Sequence, residues 1–101
     1  MAKDLYIGSL LDVYGAFLSK KCREIMEHYF NDDLSLSEIA ENEGITRQAV
    51  SDIIRRGEIA LKKYEAECGY HGKLSLIKQV LHSDKSDDKK VSEISEVIDE
   101  F

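Results

Sequence analysis

Residues 36–56 read LSEIAENEGITRQAVSDIIRR, and the type of fold can be predicted from these residues. The preceding Ser35 and Glu38 form an S-x-x-E capping box, which predicts that a helix begins directly after the serine. Gly44 supplies the positive φ with which many helices end, and Thr46 is a good N-cap for a second helix. Two helices joined by a short turn that contains glycine are typical of a helix-turn-helix.

The apolar residues of the stretch recur at helical spacing and predict which sides of the two helices are buried. Ala40 stands where the helices approach closely, since a larger side chain would push them apart. Glu43 is a departure, because many such motifs carry an apolar residue there. The positions predicted to be buried are Ile39, Ile45, Val50 and Ile53.

The second helix is predicted to turn a polar face outward that is suited to reading DNA. If Val50 and Ile53 point inward, helical geometry places Arg47, Gln48 and Ser51 on the outside. The second helix of a helix-turn-helix enters the major groove by its N-terminal end. There, arginine can bond guanine edges and glutamine can bond adenine.

Phosphate contacts are predicted at both ends of this face. Thr46 and the free N–H groups of the first turn can hold a phosphate, and Arg55 and Arg56 can contact the DNA backbone. Asp52 repels phosphate unless it accepts from cytosine or pairs with one of these two arginines. The predicted DNA-binding residues are therefore Thr46, Arg47, Gln48, Ser51, Arg55 and Arg56.

Charge supports this location and also keeps a second interpretation open. The formal net charge of the 101 residues is −6. Residues 47–63 hold five Lys/Arg and two Asp/Glu, whereas residues 1–46 hold four and nine, and residues 64–101 hold five and nine. A local basic block can bind a polyanion, because charges beyond about 10 Å are screened. The acidic remainder favours a basic protein partner, and a solvated amphipathic helix pair need not bind anything.

The rest of the chain also predicts helices, so we expect an all-α helical bundle. Helices are predicted over residues 5–14, after the N-cap Ser19, and over about 47–68. The sequence GYHGK at 69–73 is interpreted as a hinge before a fifth helix, and SDKSDDKK at 83–90 as a charged linker. The final predicted helix carries apolar residues on one side: Val91, Ile94, Val97, Ile98 and Phe101.

This pattern divides the chain into a helix-turn-helix domain, residues 1–70, and a C-terminal helical extension, residues 71–101. The extension has apolar faces that a small head does not cover, so we predict a homodimer built by the part after residue 60. Two alternatives stay open. The extension folds back onto the head of one monomer, or it is partly disordered.

The stretch LLDVYGAFLSKKCREIMEHYFNDDLSLSEIAENEGITRQAVSDIIRRGEIALKKYE, residues 10–65, resembles the YlxM family of small bacterial proteins. That family is similar in turn to the promoter-reading helix-turn-helix region of sigma factors, and its winged-helix-like or sigma-region-like fold is the one the resemblance implies. The family is linked to the signal recognition particle, because its genes lie beside those of the particle's GTPases. The resemblance implies a bacterial, cytoplasmic regulatory protein without enzymatic activity. Together with the polar face of the second helix, it leaves two functions open: a regulator that binds DNA, or alternatively an interaction module for the particle's RNA or GTPase proteins.

Other classes of function lack a pattern in the sequence. The six glycines are scattered and form no nucleotide-binding loop. Three histidines and the distant Cys22 and Cys68 lack the spacing of zinc sites or of a CxxC motif. No segment approaches the ~20 apolar residues of a membrane span. We therefore expect no enzymatic activity, no cofactor, no metal and no membrane contact.

Overall fold

The computed structural model describes residues 3–101, and within them the protein is all-α, as predicted. The helices are α1 Leu5–Tyr14, α2 Lys20–Phe30, α3 Leu36–Glu43, α4 Arg47–Cys68, α5 Tyr70–Leu81 and α6 Asp87–Asp99, with a 3₁₀ turn at Gly15–Phe17. Residues 3–101 contain no strand, and so no β-wing follows α4. The predicted bounds of the first helix and of the long fourth helix are confirmed.

Two predictions about the connections were wrong. The GYHGK segment is not a hinge, because Gly69 alone makes the turn, with φ 67°, and α5 begins at the next residue. The SDKSDDKK segment is a linker only in its first half. Ser86 Oγ accepts a hydrogen bond from the N–H of Lys89 at 3.3 Å and caps α6, whose first turn contains Asp87 and Asp88. Acidic residues there favour the helix through its dipole.

Helices α1 to α4, which we call the head, enclose two apolar clusters. The first joins α1 to the middle of α4 and contains Ile7, Leu10, Leu11, Tyr14, Met26 and Leu61. The second lies beneath the helix-turn-helix and contains Ile25, Ile39, Ala40, Val50 and Ile54. Helix α2 contributes Met26 to the first cluster and Ile25 to the second, so it connects α1 to the helix-turn-helix.

Gly57 sets the distance between α2 and α4. This glycine is buried although it lies in the middle of α4. A Cβ atom added to it would overlap Sδ of Met26 and would lie 3.1 Å from Sγ of Cys22. Met26 is fully buried, so its side chain has little room to yield. The glycine, which intrinsically weakens a helix, is therefore explained by close packing rather than by a break in α4.

The head is joined to α5 by a hydrogen-bonded cap built from Tyr14 and Glu65. The Tyr14 hydroxyl donates to Oε1 of Glu65 at 2.5 Å and accepts from the N–H of Tyr70 at 3.0 Å. The Glu65 carboxylate accepts from the N–H groups of His71 and Gly72, both at 3.0 Å. Three N–H groups of the first turn of α5 thus find partners on α1 and α4, which replace the side-chain cap that Gly69 cannot provide.

The protonation of this cap follows from its contacts. Burial by itself raises the pKa of Glu65, but the hydrogen bonds from Tyr14, His71 and Gly72 outweigh it, and the pKa is lowered overall. Burial, followed by the hydrogen bond to Glu65, raises the pKa of Tyr14. At neutral pH the carboxylate is therefore charged and the phenol is neutral, which is the combination that the cap needs.

We expect the cap to fail in acid. Because the pKa of Glu65 is lower in the folded protein than in the unfolded chain, its contribution is complete above the unfolded value of about 4.3 and is lost as the pH falls through the folded value. Glu65→Gln should lower the free energy of unfolding at pH 7 by about 1–2 kcal/mol. It should also flatten the decrease of that energy as the pH falls below about 5. Urea unfolding followed by circular dichroism measures both quantities.

Glu67→Gln is the matched control, because Glu67 is an exposed glutamate two residues along the same helix. It should leave both quantities close to those of the unchanged protein. Equal effects of the two substitutions would contradict the proposed role of the cap.

Helices α5 and α6 form an antiparallel hairpin that projects from the head. The Tyr70 and Phe101 rings stack with centroids 5.6 Å apart, and Nζ of Lys73 donates to the carbonyl of Glu100 at 2.9 Å. The start of α5 therefore lies beside the end of α6. The molecule measures 54 × 25 × 18 Å with a radius of gyration of 17.0 Å, against about 13 Å for a compact chain of this length. Among residues 3–101, no helix combines the length and the apolar character needed to cross a membrane.

Candidate nucleic-acid interface

The helix-turn-helix begins with the predicted capping box. Ser35 Oγ accepts from the N–H of Glu38 at 3.1 Å, and Oε1 of Glu38 accepts from the N–H of Ser35 at 3.1 Å. Helix α3 ends at Gly44, which has φ 68°. A Cβ atom on this glycine would meet nothing within 4 Å, so the backbone conformation, not lack of space, requires glycine here.

The turn directs the chain into α4. The N–H of Ile45 donates to the carbonyl of Ala40 at 3.1 Å, and Oγ1 of Thr46 accepts from the N–H of Ala49 at 3.0 Å. The predicted burial of Ile45 was wrong, because the turn carries it away from the second cluster and leaves it 37% exposed. Ile54 is buried there, while the predicted Ile53 is half-buried.

Gln48, Asp52 and Arg55 form a connected polar ridge along the exposed side of α4. The Gln48 side-chain amide donates to Oδ1 of Asp52 at 3.1 Å, and Nη2 of Arg55 lies 3.9 Å from the same oxygen. Asp52 therefore pairs with Arg55, one of the two arginine pairings that the sequence left open. The pair is exposed, so it contributes little to stability.

The other predicted residues lie on either side of the ridge. Arg47 is exposed, and Ser51 is half-buried beside Leu36 in a shallow groove between α3 and α4. Arg56 lies on the opposite side and lines a second groove, between α2 and α4, together with Lys21. Because successive helix residues are about 100° apart, the side chains of Arg55 and Arg56 leave α4 in different directions. Two arginines placed in this way are suited to contact different phosphates.

A contact with α2 explains why Glu43 is polar at a position where many such motifs carry an apolar residue. Its carboxylate accepts a hydrogen bond from Nζ of Lys21 at 2.6 Å, which ties the end of α3 to α2. That hydrogen bond, together with the attraction to the carboxylate, raises the pKa of Lys21. Lys21 therefore stays charged beside Arg56, at the edge of the candidate interface.

Sequence reasoning missed three features of this surface. It did not assign the bond between Gln48 and Asp52, although their i, i+4 spacing is a usable signal for such a pair. It did not place Lys21 and Arg56 along the same groove, and no local pattern reveals which residues of distant helices line one groove. It also missed Ile59, which is 61% exposed and continues the line of the ridge.

Cys22, half-buried beneath the second groove, has a thiol pKa raised by burial.

The capped helix α3, the turn at Gly44 and the exposed N-terminal half of α4 define a helix-turn-helix protein. The chain belongs to the family described as "Putative helix-turn-helix protein, YlxM / p13 like", whose model matches residues 1–100. The resemblance drawn from the sequence is thereby confirmed.

Several bacterial relatives support the assignment. The chain is 41% identical over 81 residues to a UPF0122 protein of Fusobacterium nucleatum, covering 80% of this chain and 79% of that protein. It is 44% identical over 64 residues to one of Symbiobacterium thermophilum, covering 63% and 60% of the two chains. A Clostridium kluyveri relative is 46% identical over 65 residues, covering 64% and 59%. The match thus spans about three-fifths of the length of the last two relatives.

Proposed function

We propose that this chain is a cytoplasmic, non-enzymatic regulatory protein that binds double-stranded DNA by placing the N-terminal half of α4 in the major groove. The observation that carries the proposal is the polar ridge of Gln48, Asp52 and Arg55, flanked by Arg47 and Arg56 in the most basic part of the chain. Arg47 and Gln48 lie at the N-terminal end of α4, which is the end that enters the major groove in a helix-turn-helix. A helix that only faced solvent would not require an arginine and an amide at this end.

The residues divide into base readers and phosphate binders. Arg47 is proposed to bond a guanine edge and Gln48 an adenine edge. The amide nitrogen of Gln48 has two hydrogens, so its bond to Asp52 leaves one for adenine N7. Ser51, half-buried, is proposed to contact bases or sugar at the edge of the groove.

The start of α4 is proposed to bind a phosphate. The Thr46 side chain already accepts from the N–H of Ala49, so the remaining N–H groups of the first turn, those of Arg47 and Gln48, are the ones proposed to donate to it. Arg55 and Arg56, which face different directions, are proposed to contact phosphates on either side of the groove.

We expect Arg55→Ala and Arg56→Ala each to weaken binding to duplex DNA of any sequence. If each arginine contacts one phosphate, the slope of log K against log salt should fall by about one unit per substitution. Fluorescence anisotropy with a labelled duplex at several salt concentrations measures this slope. Lys89→Ala, which removes an exposed positive charge from α6, is the control and should leave the slope unchanged. Unchanged slopes for both arginine variants would contradict the placement of α4.

A second candidate function is supported by the charge of the rest of the molecule. Residues 1–46 and 64–101 each hold nine acidic residues, against four and five basic ones. Such a surface attracts a basic partner, as an RNA-binding GTPase domain of the signal recognition particle would be, and the basic part of α4 could instead contact the particle's RNA. Binding of duplex DNA and of that RNA, compared at two salt concentrations, separates the two functions.

We also propose that residues 1–70 act as the helix-turn-helix domain and that residues 71–101 pair two copies of the chain. One recognition helix makes a small interface with DNA, and two copies related by a two-fold axis can contact two half-sites. The projection of the α5–α6 hairpin from the head supports this division, because the hairpin leaves apolar side chains exposed to solvent.

A further inference from the structure

The α5–α6 hairpin carries an apolar surface that is largely exposed to solvent. Its Leu74 end borders the head, where Leu74 lines a groove with Asp12 and Val13 of α1. Leu74 and Leu81 on α5 are 40% and 52% exposed, and Val91 and Ile98 on α6 are 65% and 54% exposed. The residues of each pair are seven positions apart, and a half-buried isoleucine follows three residues after the first of each pair. This repeats the a–d–a spacing of a coiled-coil seam. We call this surface the hairpin face; it comprises Leu74, Ile77, Leu81, Val91, Ile94 and Ile98.

The two stripes lie on the same side of the hairpin. Val80 and Val97, each 7% exposed, mark the buried side of α5 and α6. Leu81 and Ile98 come one residue later, about 100° around their helices. Because the helices are antiparallel and approach each other through equivalent positions, the same rotation brings both stripes to one side. The hairpin face is therefore continuous across both helices.

The charges of the two helices indicate what covers this face. Helix α5 contains two lysines and no acidic residue, whereas α6 contains five acidic residues and two lysines. Lys73 already donates to the carbonyl of Glu100 and Glu93 already pairs with Lys85, so Lys78 and the other four acidic residues are the charges available to a second copy. A second copy related by a two-fold axis can place its α6 on α5 and its α5 on α6, so that opposite charges meet twice. Pairing α5 with α5 would bring like charges together. The surface is thus complementary to itself, as an isologous interface requires.

We propose that a second copy of this chain docks on the hairpin face, with α5 of each copy packed against α6 of the other in a four-helix arrangement. This inference rests on the pairing proposed above and specifies its surface and orientation. The exposed side chains of the face become buried in the dimer, which removes an apolar patch from solvent.

Sedimentation of the full chain at micromolar concentration, without nucleic acid, tests the surface. The unchanged chain should be a dimer. Leu81→Asp and Ile98→Asp should each raise the dissociation constant by about 100-fold or more, since each would bury an unpaired carboxylate in the apolar interface. Leu76→Asp is the matched control, because Leu76 is 46% exposed on α5 but lies outside the face. A monomeric unchanged chain, or equal effects of the three substitutions, would overturn the proposal.

Charge reversal tests the orientation. Lys78→Glu should weaken the dimer if α5 lies against the acidic α6 of the second copy, but should tighten it if α5 lies against α5. Lys62→Glu on α4 makes the same change in net charge outside the hairpin and corrects for general repulsion. Weakening by Lys78→Glu beyond this control supports the proposed orientation, and tightening overturns it.

The folding of the variants and the oligomeric state during DNA binding are measured as well. If circular dichroism shows that Leu81→Asp has lost helix, Val91→Asp replaces it, since Val91 is the most exposed residue of the face at 65%. Because no nucleic acid is present, a protein that fails to bind DNA can still form the dimer. A protein that binds DNA as a monomer at every concentration would overturn this inference and leave DNA binding intact.

Discussion

Gly57→Ala is expected to lower the free energy of unfolding by about 1–3 kcal/mol, although glycine to alanine in an ordinary helix interior raises it by about 0.5–1 kcal/mol. The reason is the contact between α4 and α2. The added methyl group would overlap Sδ of the fully buried Met26 and would lie 3.1 Å from Sγ of Cys22. Either the two helices must separate or Met26 must leave its rotamer. Chemical unfolding followed by circular dichroism measures the change.

Gly8→Ala provides the matched control for this substitution. Gly8 lies in the interior of α1, and a Cβ atom there would meet only Cβ of Phe30, at 3.9 Å, which is an ordinary contact. Gly8→Ala should therefore stabilise the protein while Gly57→Ala destabilises it. Adding Met26→Ala to Gly57→Ala should relieve the overlap. The double variant should therefore lose less free energy of unfolding than the losses of the two single variants added together. Stabilisation by both glycine substitutions would contradict the close crossing of α2 and α4.

Arg47→Ala is expected to lower the affinity for a preferred DNA site by about 1–3 kcal/mol, with the loss concentrated at one base position. Arg47 is exposed at the first position of α4, which is the end of the helix proposed to enter the major groove. Its side chain is therefore placed to bond a guanine edge. Selection of binding sites from a random duplex pool, performed with both proteins, measures the base preference. The variant should lose its preference at that position and keep the others.

Lys62→Ala is the control for this experiment. Lys62 is an exposed cation on the same helix, about 22 Å further along its axis. Its removal changes the net charge as Arg47→Ala does, but should leave every base preference intact. The same selected sequence for the unchanged protein and the Arg47 variant would assign Arg47 to the backbone instead of a base.

The helix-turn-helix could be predicted from the sequence because its signals are local. The capping box of Ser35 and Glu38, the positive φ of Gly44 and the N-cap Thr46 each act over a few residues, and each has the predicted geometry. The exposure of Arg47, Gln48, Arg55 and Arg56 also follows from helical periodicity alone. Periodicity does not determine whether these residues bind DNA, which the salt dependence and the base preference of the arginine variants test.

The predictions that failed depended on contacts between distant residues or on the path of the chain after a turn. Ile45 fits an apolar pattern, yet the turn directs it into solvent. The GYHGK segment looks flexible because it has two glycines, but Tyr14 and Glu65 cap the helix that begins within it. Hydrogen bonds that join residues up to 56 positions apart leave no local signal in a sequence.

The all-α class, the helix-turn-helix and the polar outer face of α4 follow from the amino-acid sequence, because caps, turns and periodicity act within a few residues. In contrast, the packing of the helices reveals that Gly57 is a close-packing position, that Glu43 binds Lys21, and that the stripes of α5 and α6 share one face. Each of these depends on how two helices are placed relative to one another. That placement results from packing of the whole core and cannot be derived from either helix alone.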